Sequence, residues 1–537
     1  MREYQKLRLK HKFPYDSVFS LLYYKFLENP NRDFVISLYK DTVEKFSYKD
    51  FFVKVISVRD YLSKKGLNKE DCINIIMQNS ADFLILYFAA LSLGIIVCPI
   101  NYNLSPKEIS YIVNDSKSKI LFVDYEYLPK IEEIKERFAS DFEVVVFSKN
   151  DIETNYFNLF SIYKNSFDIK FENINKEVFL IDKAVIIYTS GTSGNPKGAI
   201  LTHANLLSDA QAIAEWFKFD INTRALCILP LFHNNGQIVT LLAPLWAGGS
   251  TVMIKGNVSL MSFWDLVNKY NVTWTSVIPT ILSVLINFNI KRKDNILQGI
   301  ICGGALLPKR VQIDFEEKYK VPIYEGYGLT ETTSFSCFNP IEVKKRRIGS
   351  IGLPLPINKM AIFDENGIEL PDNEIGEMCI KGYNVFLEYC NLHEKNASVF
   401  KNGWFHSGDY GYRDSDGFFY IRGRKDDMII KGGENIYPRE IENLIYTNPK
   451  IKDCALIGVE HKLWGEDLVL FIEQIENQKV NKMEIIDFLI GKIADFKIPS
   501  EIYFINELED LSEMPKGPTK KILRKELKKY YETHLRK

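Results

Sequence analysis

The chain has 537 residues, and its 68 Lys and Arg against 69 Asp and Glu leave a formal net charge of −1. That length exceeds one typical hydrophobic core, so two or more domains are expected, and the balanced charge gives no electrostatic ground for nucleic acid as the main partner. The eight cysteines are scattered without a close-spaced pair, and the seven histidines show no zinc-type spacing, which fits reduced thiols in a cytosolic protein and argues against a disulfide or zinc framework.

Met1 to Lys12 is charged and polar with no apolar run behind it, so no signal peptide is expected. Phe83 to Ile100 runs without a charge, near the lower limit for a membrane span. Gly94 and Pro99 interrupt it, and Ile95, Ile96 and Val97 have strand character, so a buried helix followed by a buried strand is expected instead of a transmembrane segment. Ser105, Pro106 and Glu108 spell a capping box with proline at the first helical position. Short buried strands are expected at Lys119–Asp124 and Phe142–Phe147.

A polyphosphate-binding loop follows. Ala184 to Tyr188 reads as a buried strand leading into Thr189, Ser190, Gly191, Thr192, Ser193 and Gly194, with Lys197 and Gly198 a few residues on. Glycines permit sharp turns that bring N–H groups to an anion, hydroxyls add donors, and Lys197 adds charge. Lys197 precedes Gly198 and not Ser or Thr, so the spacing is not that of a Walker loop. Thr202 is expected to cap a helix with Leu206, Ala210, Ile213, Ala214 and Phe217 on its apolar face. Further core strands are expected at Leu226–Leu231, Val272–Ile278 and Gln298–Cys302.

Later segments suit ATP. Gly303, Gly304 and Ala305 close a strand where backbone can lie flat against a purine. Tyr327, Thr330 and Glu331 set a ring, a hydroxyl and a hard carboxylate within one turn, suited to adenine, the α-phosphate and Mg²⁺. Asp409, in the glycine turn Gly403–Asp409, can accept from two ribose hydroxyls. The stretches Gly423–Glu442 and Pro515–Leu527 bracket a lysine-rich C-terminal region, joined through Arg422–Asp427, whose charge run Arg524–Lys529 reads as a solvated helix face.

Together these ordered segments resemble the adenylate-forming acyl-CoA synthetase superfamily, which also includes nonribosomal-peptide adenylation domains and beetle luciferases. The resemblance runs from Phe83 to Leu527. It implies an α/β fold: a large N-terminal domain of β-sheets layered with helices (1–425) and a small mobile α+β C-terminal domain (426–537). It also implies a two-step reaction. A carboxylic acid and ATP give an acyl-adenylate and pyrophosphate, and a thiol, of CoA or of a carrier-protein phosphopantetheine, then displaces AMP. By resemblance, the 189–197 loop holds the β- and γ-phosphates, Thr330 touches the α-phosphate and Glu331 holds Mg²⁺. Tyr327 packs on adenine, Asp409 and Arg424 grip ribose, and Lys521 stabilises charge between carboxylate and α-phosphate. Asp426 matches the hinge, Gly432 and Gly433 the loop shaping a pantetheine tunnel. The usual glycine of the last motif is Lys520 here, so Lys520 stands as an alternative to Lys521.

Leu229–Gly236 matches the motif beside the acyl pocket. Amino-acid-activating relatives carry an aspartate where this chain has His233, and an unpaired buried ammonium is costly, so a fatty or aryl acid is expected. Asn234 and Asn235 either bond a hydroxyl on an aryl acid or cap the next helix. Trp464 matches a position that stacks near CoA, with burial as a plain anchor the alternative, and Phe496 lies in another matching segment. A non-catalytic nucleotide-binding protein on the same fold is the remaining rival, and Glu331, Asp409, Arg424 and Lys521 argue against it.

Overall fold

The computed structural model describes residues 13–40, 42–138, 142–149, 156–165, 177–189, 195–256, 260–287, 292, 296–305, 307–476, 478–517 and 522–536. The loop residues Ser190, Gly191, Thr192, Ser193 and Gly194, and both Lys520 and Lys521, lie outside them.

Phe83–Ile100 divides as its residues require. Ser80 caps a helix at Ala81–Ser92, in which all twelve residues are buried, and Gly94, at φ +70°, turns the chain into the strand Ile96–Pro99. No described helix is long and apolar enough to cross a membrane. The next helix, Pro106–Asp115, opens on the expected capping box between Ser105 and Glu108, and Thr202 caps the helix His203–Trp216 through the Asn205 N–H.

Two large sheets share these helices. In the eight-stranded sheet a parallel run is ordered Lys183–Thr189, Ile96–Pro99, Cys72–Ile76, Ser118–Asp124, Glu143–Phe147 and Phe157–Asn158. Lys197–Thr202 then pairs antiparallel with Lys183–Thr189. The nine-stranded sheet has a parallel centre of Ile323–Tyr327, Gly299–Cys302, Trp274–Val277, Arg224–Cys227, Ser250–Ile254 and Asp33–Tyr39. Phe34 and Tyr324 from this sheet, Ile73 and Ile187 from the other, Phe88 and Ile213 from the two buried helices all join one apolar cluster. The helices therefore form the layer through which the two sheets pack.

The strand expected at Leu226–Leu231 stops at Cys227. Beyond it the Asn79 side chain takes over the pairing, donating to Leu229 O and accepting from the Leu231 N–H. A third sheet holds Asn358–Phe363, Gly376–Gly382, Phe400–Lys401, Trp404–Arg413 and Phe419–Arg424. The fourth, formed by Ile429–Lys431, Glu434–Ile436, Ile451–His461, Gly465–Gln474 and Glu501–Phe504, is wholly C-terminal. The two apolar clusters of this region contain no residue before Ile429. The helix Arg524–Tyr530 corrects the solvated-face reading at its first residue. Arg524 reaches both carboxylate oxygens of Glu442, at 2.5 and 2.7 Å, and lies 3.6 Å from Asp427. Nη2 makes both contacts to Glu442 while Nη1 faces Asp427, so the spread of donors on one guanidinium serves two carboxylates where a single ammonium would serve one.

Candidate active site

Three of the expected segments emerge from the C-terminal ends of parallel strands. Thr189 ends Lys183–Thr189, Gly303 follows Gly299–Cys302, and Tyr327 ends Ile323–Tyr327. This is the edge at which open α/β sheets gather ligands, since loops leaving it can converge without interrupting the ladder.

The first group surrounds Glu331. Thr189 and Lys197 are paired across the hairpin that carries residues 190–196, with the Thr189 hydroxyl 3.5 Å from Lys197 O. Tyr389 donates its hydroxyl to Glu331 Oε1 at 2.6 Å, and the Phe386 N–H donates to Glu331 O at 2.8 Å. Lys197 Nζ stands 6.0 Å from the centroid of the same Tyr389 ring. Burial holds the Lys197 ammonium below its ordinary pKa, and Lys395 adds to this, while Glu331 and Asp426 oppose it. A cation kept under-neutralised in this way is poised for a polyanion.

Gly198 serves otherwise than expected. A Cβ there would meet Tyr188 Cζ at 2.8 Å and Ile186 Cγ2 at 2.9 Å, so the glycine admits close packing inside the hairpin and does not shape an anion cradle. The Tyr188 hydroxyl in turn donates to Asp115 Oδ2 at 2.6 Å.

The second group is the triad Tyr327, Asp409 and Arg424. The Tyr327 hydroxyl donates to Asp409 Oδ2 at 2.7 Å, and Arg424 Nε lies 3.0 Å from Asp409 Oδ1. Tyr327 and Asp409 are buried. Burial, reinforced by the Asp409 charge, pushes the Tyr327 phenol well above its ordinary value, so it stays a donor. The Asp409 charge in turn raises the Arg424 guanidinium. Each carboxylate oxygen keeps further lone pairs that can accept.

The turn between the groups is tightly built. Gly328 has no room for a side chain, since a Cβ would stand 1.8 Å from Ser334 O. Thr333 adopts φ +67° and ψ −64° with the Ser334 N–H donating to Thr332 O at 2.8 Å, a γ-turn of the positive-φ kind that is strained for a β-branched residue. Its hydroxyl is fixed on Asn384 O at 2.6 Å. This strained corner directly follows Thr330 and Glu331 and fixes where they project.

His233 precedes the four-residue helix Asn234–Gln237 and packs edge-on to Phe232, with ring centroids 4.6 Å apart. Neither Asn234 nor Asn235 caps that helix: they occupy its first two positions, and its start has no side-chain cap. Asn234 Nδ2 instead reaches Thr330 O at 3.4 Å, which joins the acyl-pocket motif to the nucleotide turn. The Oδ1 atoms of Asn234 and Asn235 are buried without a partner among the described residues. At the segment expected to meet the purine, a Cβ at Gly303 would meet the Phe335 ring at 2.5 Å, while Gly304, at φ +80°, and Ala305 are exposed.

A separate C-terminal cluster holds the residues expected to meet the thiol. Gly432 and Gly433, at φ +61° and +89°, are the central residues of a two-residue hairpin between Lys431 and Glu434, where both positions need positive φ. The Gly432 N–H donates to Trp464 O at 2.8 Å. Trp464 is 51% exposed, which rules out the buried-anchor alternative. Phe496 is exposed as well. Asp426 sits in the short turn Lys425–Asp427, directly after Arg424. Lys516 pairs with Ile522, so the chain on either side of residues 518–521 is held together.

Tyr389, Lys395 and Asn384 support the site without having been anticipated. They lie more than fifty residues from the groups they support, in stretches with no phosphate or glycine signal, and only the fold brings them near.

This arrangement belongs to a class of enzyme that activates acids with ATP. A family model described as AMP-binding enzyme matches residues 25–390, and one described as AMP-binding enzyme C-terminal domain matches residues 440–513. The chain belongs to this family, the adenylate-forming acyl-CoA synthetase superfamily that its motifs resemble. It is similar to the sulfoacetate–CoA ligase of Cupriavidus necator, 30% identical over 86% of this chain and 88% of that protein. It is also similar to the indoleacetate–CoA ligase of Aromatoleum aromaticum, 29% identical over 86% of this chain and 90% of the relative. Among solved structures, o-succinylbenzoate coenzyme A synthetase of Bacillus subtilis, in complex with ATP and magnesium ion, superposes with a TM-score of 0.81. That pair is 28% identical, over 95% of this chain and 99% of the other.

Proposed function

We propose that the chain converts a fatty or aryl carboxylic acid to its CoA thioester through an acyl-adenylate. The observation carrying this reading is that three sheets contribute to two neighbouring groups along the turn Tyr327–Glu331, the Tyr327–Asp409–Arg424 triad and the Glu331–Tyr389–Lys197 group. Carboxylate and triphosphate repel each other, so adenylation depends on positive charge and alignment more than on acid–base chemistry.

In this account Thr189, Lys197 and the loop between them (Ser190, Gly191, Thr192, Ser193, Gly194) take the β- and γ-phosphates, and Thr330 reaches the α-phosphate. The adenine lies between Tyr327 and the Gly303–Gly304–Ala305 rim, and Asp409 with Arg424 holds the ribose. Glu331 fits Mg²⁺, because Tyr389 occupies one side of its carboxylate and leaves hard oxygen lone pairs for a hard ion. When bound, Mg²⁺ would neutralise phosphate charge. Lys521 supplies the charge between the attacking carboxylate and the α-phosphate. We place the domain boundary at 425/426. Rotation about Asp426 would withdraw Lys521 and bring Gly432, Gly433 and Trp464 toward the adenylate, with CoA as the thiol.

For the acid, His233 offers no carboxylate to an ammonium, which supports exclusion of zwitterionic α-amino acids. The partnerless Oδ1 atoms of Asn234 and Asn235 suit a hydroxyl or amino donor on an aryl acid. The name of the Cupriavidus relative favours a second reading, an acid with a second anionic group. A screen of pyrophosphate release over fatty, aryl, amino and dianionic acids, with and without CoA, tests both. Fastest release with a fatty or aryl acid and CoA-dependent thioester is the expected result, and His233→Asp should then weaken that acid by like-charge repulsion. Fastest release with sulfoacetate, which is dianionic and neither fatty nor aryl, selects the second reading. An α-amino acid as best substrate overturns both.

A further inference from the structure

Outside the nucleotide site, the third sheet brings together a thiol, an imidazole and a carboxylate. Cys379 and His406 are direct cross-strand partners on Gly376–Gly382 and Trp404–Arg413, and Glu377 lies two residues from Cys379 on the same face. Their ligand atoms all lie within 4.8 Å of one another. The His406 Nδ1 atom is 2.9 Å from Glu377 Oε2 and 3.3 Å from Cys379 Sγ. An ion bonded at about 2.0–2.3 Å to N, O and S would hold these atoms roughly 3.3–3.7 Å apart, so the two contacts need open by only a few tenths of an ångström to admit it.

A second, independent feature lies against the trio. A cavity of about 200 Å³ is lined by Glu377 and His406, with Phe363, Trp404, Tyr410 and Lys425 as walls. Cys379 is fully buried and does not face it. The cluster is thus closed on the sulfur side and open on the imidazole and carboxylate side, which provides both an entry path and room for a water as fourth ligand.

We infer that Glu377, Cys379 and His406 form a site for a thiophilic divalent cation of the zinc class, distinct from the Glu331 position. One sulfur, one nitrogen and one oxygen ligand suit Zn²⁺ and disfavour Mg²⁺, which requires an oxygen shell. Binding balances simply. The Cys379 thiol loses its proton to solvent and Sγ donates a lone pair to the ion. His406 binds through Nδ1 with its proton on Nε2, and Glu377 binds through Oε2.

The position has a structural consequence. Between the pairs Glu377–Tyr410 and Cys379–His406, the strand Trp404–Arg413 bulges out around Ser407, Gly408 and Asp409. Glu377 Oε1 already accepts the Gly408 N–H at 2.9 Å, and Ser407 donates to Met378 O at 2.6 Å while accepting the Asp409 N–H at 3.0 Å. An ion bridging the two strands would clamp the bulge that presents Asp409. The sequence hides this set because its cysteine and histidine are 27 positions apart.

The test is zinc titration of the full-length, chelator-treated protein against a chromophoric chelator, paired with Co²⁺ substitution. One site per chain is expected, with thiolate-to-cobalt absorption, unchanged in Cys390→Ala. Cys379→Ser, checked for fold by circular dichroism, should lose the absorption and weaken zinc about a hundredfold or more, exceeding what loss of an outer-shell partner costs. Zn²⁺ should also raise the wild-type melting temperature where equimolar Mg²⁺ does not. Wild-type protein that takes up Co²⁺ without thiolate absorption, or Cys379→Ser that holds zinc as tightly as wild type, overturns the site. The wild-type spectrum alone decides the matter should the variant fail to fold.

Discussion

The two ends of the proposed reaction are built differently. On the nucleotide side, Asp409 is buried, takes a hydrogen bond from Tyr327 and an ion pair from Arg424, and is presented by a strand of the third sheet. On the thiol side, the Gly432–Gly433 hairpin and Trp464 stand at the surface, joined by one backbone hydrogen bond. Fixed dipoles and charges pay off where charge develops on a phosphate, because they need no reorganisation during the step. A surface that must engage a second substrate only after the first step gains from being free to move. On the proposed reaction, the contrast assigns preorganisation to adenylation and delivery to thiolation.

The largest expected effect comes from the proposed catalytic lysine, which on the domain-alternation reading arrives with the C-terminal part to serve the fixed site. Lys521→Ala should lower adenylate formation by about 3–4 kcal/mol of transition-state stabilisation, two to three orders of magnitude in rate. Thioester formation from supplied acyl-adenylate should survive. Pyrophosphate release and thioester yield, measured separately, give the answer. A larger loss in Lys520→Ala moves the role to the neighbouring lysine.

Asp426→Pro addresses delivery itself. Proline fixes φ near −65° and resists rotation about that residue. First-turnover pyrophosphate release should stay near normal, while thioester appears at least tenfold more slowly. Equal loss of both steps would remove domain alternation from the account and leave the two regions as parts of one rigid site.

Tyr327→Phe sharpens the fixed half. It strips a donor from a buried carboxylate, a loss of about 1–3 kcal/mol, so the melting temperature should fall. KM for ATP should rise several-fold as Asp409 loses its orientation, with KM for CoA unchanged. A variant with normal ATP kinetics would mean that the Tyr327–Asp409 bond serves only the packing of the third sheet.

Legibility in the sequence followed the same division. Local signals were decisive wherever neighbouring residues determine the outcome. The capping box at Ser105 and the cap at Thr202 formed, and so did the break at Gly94 and the helix–strand pair around it. The motif residues Tyr327, Asp409 and Arg424 come from separate stretches and only the family resemblance grouped them beforehand; the fold brings them into contact. Partners without a motif were not legible. Tyr389 reaches Glu331 across 58 positions, and nothing in its own surroundings marks it as a ligand of anything. Long-range substitutions of one pairing for another were equally hidden: Asn79 ends the strand after Cys227 with a side chain 152 positions from Leu231. Gly198 was misread for a related reason. A glycine in a glycine-rich loop suggests backbone freedom, but here the constraint is the Tyr188 ring lying against it.

The smallest expected effect belongs to the exposed half. Trp464 is 51% exposed, its carbonyl accepts the Gly432 N–H, and its ring lies 3.1 Å from where a Cβ on Gly432 would be. An indole held against a glycine hairpin presents a flat face, and stacking on such a face contributes about 0.5–1.5 kcal/mol beyond area burial. Trp464→Ala should therefore raise KM for CoA roughly two- to tenfold, leaving pyrophosphate release and KM for ATP unaltered. The melting temperature should barely move, because little of the ring is buried to begin with. This is the mirror image of Tyr327→Phe, and the two variants together form a double dissociation. If Trp464→Ala weakens ATP as much as CoA, the surface cluster is coupled to the buried triad before any rotation, and the division between a preorganised half and a delivered half fails.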